Sequence, residues 1–133
     1  MAQGFPELTA ADLRQMSLSG KEREKYFLDR VLAQGAVCSW GLGEDTLLWE
    51  DEEGNTTIAF WSHPEFAARC YPEGERESGE GPIVISLDRW VNKVLPQLRD
   101  EGIRVGIFPV GDVFAVVADP GVLLRLVRRM VKR

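Results

Sequence analysis

The chain has 133 residues, of which 44% are hydrophobic and 28% charged, and its formal net charge is −5. A chain of this length forms one domain that buries about 70% of the surface exposed on unfolding, so it needs neither a disulfide nor a metal to fold. Its apolar content excludes intrinsic disorder, and no apolar run approaches the roughly 18 residues of a membrane-spanning helix. Because the sequence begins without a basic and apolar signal segment, we expect a cytoplasmic protein.

The start of the chain separates into two parts. Residues 1–18 are weakly patterned and predict a loosely ordered lead-in, followed by a single domain over residues 19–133. Ser19 and Glu22 have the spacing of a capping box at a helix start. Gly35 suits the position just beyond a helix end, so the first helix is predicted to end at about Gln34.

Three strand-like runs follow this helix. They are Ala36 to Leu42, Thr46 to Glu50 and Thr56 to Trp61, and Gly, Asn and Asp turns separate them. Short β-rich runs joined by such turns indicate an antiparallel meander. Pro64 then suits the first position of a short helix within Ser62 to Cys70.

The second half of the chain predicts a strand, a helix and a hairpin. Ile83 to Ile85 forms the strand, and an amphipathic helix runs from Leu87 to Leu98 with a kink or an early end near Pro96. Ile103 to Phe108 and Val113 to Ala118 flank a turn of sequence Pro-Val-Gly-Asp, which indicates a β-hairpin.

The last helix is predicted to begin at Asp119-Pro120 and to present two faces. Its buried stripe is Leu123, Leu126, Val127 and Met130, and its basic face is Arg125, Arg128, Arg129 and Lys132. The complete order is α-βββ-α-β-α-ββ-α, in which about six short strands pack with four helices. Consecutive antiparallel strands favour an α+β fold with an antiparallel or mixed sheet.

Charge is unevenly distributed along the chain. Residues 44–53 contain six acids and no base, whereas residues 125–133 contain five bases and no acid. The acidic run is either a solvated loop or a surface that docks a basic partner. We do not expect nucleic acid as a partner, because the chain is acidic overall and phosphate contacts need clustered cations.

The sequence contains few motifs that carry chemistry. The sequence has no phosphate-binding glycine loop, no zinc-protease or serine-hydrolase motif, and a single histidine, His63. It therefore predicts no cofactor, no metal site and no assigned catalytic residue. One alternative remains open, a small enzyme that uses His63 as a base with Cys38 or Cys70 as the nucleophile. Otherwise His63 caps the following helix or bonds a backbone carbonyl, and the two cysteines are buried free thiols.

The tryptophans on the predicted strands also allow two interpretations. Stacked across neighbouring strands, Trp40, Trp49 and Trp61 form an apolar face that is either core or a set of exposed anchors for a partner. The residues that the sequence offers for partner binding are Asp51, Glu52, Glu53, Trp49, Trp61 and His63.

Four segments of the chain carry a family resemblance. They are Phe60 to Ala67, Ile83 to Trp90, Val94 to Leu98 and Val105 to Pro109. Together they resemble the bacterial family called domain of unknown function 2750, over roughly Gly20 to Met130. The resemblance implies a small bacterial cytoplasmic domain, and it brings no established activity or catalytic residue.

The main functional hypothesis is a non-enzymatic protein-binding module, such as an immunity or antitoxin-like protein that neutralises a partner. Its basis is the acidic surface, the spare tryptophans and the lack of a catalytic constellation. A homodimeric scaffold or adaptor that assembles through a sheet edge or the tryptophan face is the second hypothesis, and the small enzyme is the third.

Overall fold

Helices and strands follow the order α-α-ββββ-α-β-α-α-ββ-α in the computed structural model, which describes residues 8–111 and 113–131. The helices are α1 (Ala10–Arg14), α2 (Gly20–Gln34), α3 (Pro64–Ala68), α4 (Leu87–Arg89), α5 (Leu95–Glu101) and α6 (Pro120–Val131). The strands are β1 (Ala36–Leu42), β2 (Asp45–Thr46), β3 (Leu48–Glu50), β4 (Thr56–Phe60), β5 (Glu80–Ser86), β6 (Arg104–Ile107) and β7 (Val116–Ala118). The predicted α+β class is confirmed. None of the helices described is long and apolar enough to cross a membrane.

The first long helix has the boundaries that its capping residues predict. The hydroxyl of Ser19 accepts the backbone N–H of Glu22, and α2 ends at Gly35, which has a φ of 72°. The shorter helix α1 lies within the predicted lead-in, where the sequence indicated no element. A capping box between Thr9 and Asp12 forms its N-terminus. Residues 1–7 of the lead-in lie outside the described residues.

The described strands form two sheets, with orders β2-β1-β5 and β3-β4-β6-β7. Neighbouring strands are antiparallel except for β4 and β6, which are parallel. The backbones of Cys38 and Trp61 exchange two hydrogen bonds of 2.9 and 2.7 Å, which join the sheets. The predicted strand from Thr46 to Glu50 is divided, because the N–H of Leu47 turns to the carbonyl of Trp40 at 2.9 Å. The segments on either side of Leu47 therefore enter different sheets.

The core lies between one face of the second sheet and the helices. Side chains alternate along a strand, so Ile58 and Phe60 of β4 share this face with Val105 and Ile107 of β6. Phe60 packs against Trp90 with the ring centroids 5.6 Å apart. Helices α2 and α6 contribute further buried side chains to the same cluster, including Phe27, Val31, Leu123, Leu124 and Val127.

Helix α6 presents a slightly different stripe from the predicted one. Leu124 is buried, whereas Leu126, which the pattern placed inside, is 41% exposed. Arg125, Arg128 and Arg129 are exposed as expected. Lys132 of the predicted basic face, together with Asp112 of the predicted hairpin turn, lies outside the described residues.

The helix that follows β5 continues past Pro96 instead of ending there. A π-helical turn, Trp90–Val94, joins α4 to α5, and the helix ends only at Glu101. Proline removes one N–H and crowds the carbonyl four residues earlier, here that of Asn92. A π turn at this point widens the helix where the regular hydrogen-bond pattern would fail.

Candidate functional site

Trp61 and His63, two of the residues that the sequence offers for partner binding, lie inside the protein. They are 0% and 1% exposed, respectively. The indole N–H of Trp61 donates to the carbonyl oxygen of Pro109 at 3.0 Å. Nδ1 of His63 lies 2.9 Å from the hydroxyl of Ser62. Neither side chain reaches the surface, so neither can contact a partner in this conformation.

His63 stands at the N-cap position of α3, but its side chain makes no capping hydrogen bond. Its ring instead meets Phe66 edge to face, with centroids 5.7 Å apart. Burial, together with the nearby positive charge of Arg30, lowers the pKa of His63 to about 4. The imidazole is therefore neutral at pH 7.

The two cysteines are free thiols, and neither has the features of an activated nucleophile. Sγ of Cys38 donates to the carbonyl of Ser39 at 3.3 Å, and Sγ of Cys70 donates to that of Pro109 at 3.4 Å. Burial raises the pKa of Cys38 to about 12 and also raises that of Cys70. Because the thiolate is the reactive form, both groups are poor nucleophiles at neutral pH.

Trp49 is half-buried on the face of β3 opposite to Leu48. Its indole N–H donates to the hydroxyl of Tyr71 at 3.0 Å, and its ring lies 4.8 Å from that of Phe114 between centroids. The side chain thus belongs to a packed aromatic cluster and leaves only part of its surface to solvent.

All three acids of the turn between β3 and β4 are exposed, and Asp51 also holds the turn together. The carboxylate of Asp51 accepts the backbone N–H groups of Glu53 and Asn55 at 2.9 and 2.8 Å. The hydrogen bonds from Asn55 have the largest effect on the pKa of Asp51, and together with the bond from Glu53 they lower it. Asp51 therefore shapes the turn, while Glu52 and Glu53 project into solvent.

A groove of about 810 Å³ opens between strand β5, the segment containing β2 and β3, and helix α5. Its floor is apolar and is formed by Leu48, Ile58, Ile83, Val94 and Leu98. Ile58 and Leu98 are buried in the floor, whereas Leu48 is 53% exposed.

The rim of this groove is acidic. Glu44, Asp45 and Glu101 line it and are exposed, and Arg89 is the basic residue among its lining side chains. We call the site the acidic groove. Asp51, Glu52 and Glu53 are not among the residues that line it, and the carboxylate of Asp51 lies 4.0 Å from the guanidinium of Arg104. The acids that line the acidic groove are therefore Glu44, Asp45 and Glu101. The residues that the sequence offers for partner binding are absent from its lining: Asp51, Glu52, Glu53, Trp49, Trp61 and His63.

Glu101 and the side chains of the apolar floor are not among the residues that the sequence offers for partner binding. These side chains come from strands and helices that are far apart in the chain, so no local pattern joins them. Within residues 8–111 and 113–131, no group of three or more His, Cys, Asp and Glu side chains is arranged to hold a metal ion.

The fold and the groove define the class of the protein, an α+β domain with an open acidic groove and no activated thiol. The chain belongs to the family of proteins of unknown function DUF2750, whose model matches residues 24–126. This match confirms the resemblance seen in the sequence, and it includes every residue that lines the acidic groove. No curated protein and no solved structure matches the chain.

Proposed function

We propose that the chain is a non-enzymatic protein-binding module whose acidic groove receives a basic and apolar segment of a partner protein. The acidic groove itself carries this proposal. Its floor offers apolar surface to bury, and its rim offers the opposite charge to a lysine- or arginine-rich segment. A negative rim also speeds the encounter with a positive partner at low ionic strength.

An immunity or antitoxin-like protein, which neutralises its partner by covering a basic cleft, is one form of such a module. Both cysteines are free, which fits the reducing conditions of the cytoplasm. The raised pKa of each thiol and the lowered pKa of His63 support a binding role over a catalytic one.

The test is co-purification of the chain with the product of the neighbouring gene, followed by charge reversal in the acidic groove. Glu44→Lys with Glu101→Lys should weaken the complex by about tenfold or more, since two attractive charges become repulsive. The matched control is Glu73→Lys with Glu75→Lys, two exposed acids that do not line the acidic groove. If no complex forms, the antitoxin-like role is wrong. If a complex forms and both variants bind equally well, the acidic groove is not the binding site.

Self-association is a second candidate, because β5 leaves one edge of its sheet without a neighbouring strand among the described residues. Light scattering of the purified chain tests it, and a monomer across the micromolar range removes it.

A further inference from the structure

Strand β5 is the outer strand of the sheet β2-β1-β5, and no other strand of the described chain pairs with its second edge. The direction of its backbone groups follows from the pairing with β1. Cys38 stands opposite Val84, and its own N–H and C=O bond Trp61 on the far side. Opposite residues in an antiparallel pair alternate between hydrogen-bonded and non-hydrogen-bonded positions. Cys38 and Val84 are therefore a non-hydrogen-bonded pair, and the N–H and C=O of Val84 point outward.

The same alternation fixes the rest of the open edge. Pro82 and Ser86 lie two residues before and after Val84 on the strand, so their backbone groups also point outward. Pro82 has no N–H, and a proline is tolerated in a sheet where the missing donor faces away from the neighbouring strand. The open edge thus offers the carbonyl of Pro82, both groups of Val84 and the N–H of Ser86.

This edge borders the acidic groove. The four consecutive residues from Pro82 to Ile85 all line it. Ile83 and Ile85 direct their side chains to one face of the sheet, and Val84 directs its side chain to the other. Because residues with side chains on both faces of the sheet line the groove, the backbone that joins them is part of the groove wall.

We propose that the partner segment binds as an added β-strand along the outer edge of β5, centred on Val84, with lysine or arginine side chains at alternate positions directed towards the acidic groove. The inference rests on the proposed function for the identity of the occupant and adds the way in which it is held. Backbone hydrogen bonds would supply affinity, and the acidic rim would select the basic side chains.

Charge favours a foreign basic segment over a second copy of this chain. Two copies joined through their β5 edges would bring two acidic rims closer together, and like charges at an interface repel each other. An extended segment is favoured over a helix, because a helix bonds its own backbone groups and leaves the outward groups of Val84 unused.

The experiment uses a synthetic nine-residue peptide that alternates lysine and valine, and a control peptide that alternates glutamate and valine. We expect the lysine peptide to bind the full chain and the glutamate peptide not to bind. On binding, the amides of Val84 and Ser86 should gain protection from hydrogen exchange. The amides of Ile83 and Ile85 should change little, because they already face β1.

Two substitutions of one residue separate backbone pairing from side-chain contact. Val84→Pro removes the outward N–H while leaving the bonds to β1 intact, and it should weaken binding of the lysine peptide by about tenfold. Val84→Thr has a similar shape and keeps the N–H, so it should bind like the wild type. Thermal unfolding of both variants, followed by circular dichroism, shows whether each one folds. If Val84→Pro does not fold, the protection of the Val84 and Ser86 amides in the wild type decides the question.

The outcomes distinguish this inference from the proposed function. If the lysine peptide binds and Glu44→Lys with Glu101→Lys abolishes binding, but the Val84 and Ser86 amides gain no protection, strand addition is wrong and the groove proposal stands. If the lysine peptide does not bind, strand addition is wrong, and complex formation with the product of the neighbouring gene still decides the proposed function. If the amides of Val84 and Ser86 are already protected in a dimer of the chain alone, the edge belongs to a second copy and strand addition of a partner is wrong.

Discussion

The rings of Trp40 and Tyr71 stack face to face, with centroids 4.8 Å apart and planes inclined by 4°. Tyr71 also meets Trp61 edge to face at 6.1 Å and accepts the indole N–H of Trp49 at 3.0 Å. One tyrosine in the segment after α3 therefore links the three tryptophans of the strands. These three contacts pack most of the tryptophan face inside the protein.

Removing the Tyr71 ring should cost more stability than removing its hydroxyl. Tyr71→Phe keeps the stack and loses the bond from Trp49, so we expect a loss of about 1 kcal/mol in the free energy of unfolding. Tyr71→Ala loses the stack as well, and we expect about 3 kcal/mol. Urea unfolding followed by tryptophan fluorescence measures both. Equal losses in the two variants would show that the ring contributes nothing beyond its hydroxyl.

Arg23 should be essential for stability although it is charged. Its buried guanidinium donates to the carbonyls of Leu18, Phe108 and Val113 at 2.9, 3.4 and 3.3 Å. Phe108 has a φ of 44°, an uncommon value for a residue with a side chain, so the bond to its carbonyl holds a strained backbone. Arg23→Met leaves the three carbonyls without this donor, and we expect a loss of about 3 kcal/mol.

The control for Arg23 lies on the same helix. Lys25 is exposed and pairs with Asp29 at 2.8 Å, so Lys25→Met should cost less than about 0.5 kcal/mol. Chemical unfolding of both variants provides the comparison. Similar losses for the two substitutions would contradict the role of Arg23.

Gly106 should tolerate no side chain. A Cβ at this position would overlap the ring of Phe114 and lie 2.9 Å from Cγ2 of Thr57. Gly106→Ala should therefore destabilise the protein by about 2 kcal/mol. Gly81→Ala is the matched control, because no heavy atom lies within 4 Å of a Cβ there. In a Phe114→Leu background, Gly106→Ala should lower the free energy of unfolding by less. An unchanged loss would show that the overlap with the Phe114 ring is not its cause.

His63 should make stability depend on pH in a defined window. Its pKa is lowered from 6.5 to about 4, so between these values the unfolded chain binds the proton more readily than the folded one. The free energy of unfolding therefore has its full value above pH 6.5 and decreases as the pH falls towards 4. We expect a loss of about 2 kcal/mol in the free energy of unfolding over this range.

Urea unfolding at several pH values measures this effect. Arg30 and Asp12 are the charged groups that act on the imidazole, Arg30 lowering its pKa and Asp12 raising it. His63→Gln removes the titrating group and should flatten the dependence between pH 4 and 6.5. A variant that keeps the wild-type slope would assign the dependence to the carboxylates instead.

Most of the elements that rest on local bonds could be predicted from the sequence, helix α1 being the exception. Ser19 and Gly35 mark the ends of α2 because a hydroxyl cap and a left-handed glycine act within a few residues. The hairpin of β6 and β7 follows from two β-rich runs around a turn, and the pattern also identified the antiparallel character of most strands. The acidic character of Glu44, Asp45 and the turn of Asp51 to Glu53 was evident from composition.

Long-range contacts decided which strands pair and which side chains form the acidic groove. Strands β4 and β6 pair in parallel although more than 40 residues of chain separate them. The division of the strand at Leu47 and the burial of His63 likewise depend on which segments meet in the folded protein. The floor of the acidic groove likewise assembles only when Ile58, Ile83 and Leu98 come together. Sequence alone determines helix caps, turns and charge, because these depend on residues that are close together in the chain. Only the tertiary structure determines which apolar faces meet, because apolar surface is buried only when distant segments pack together.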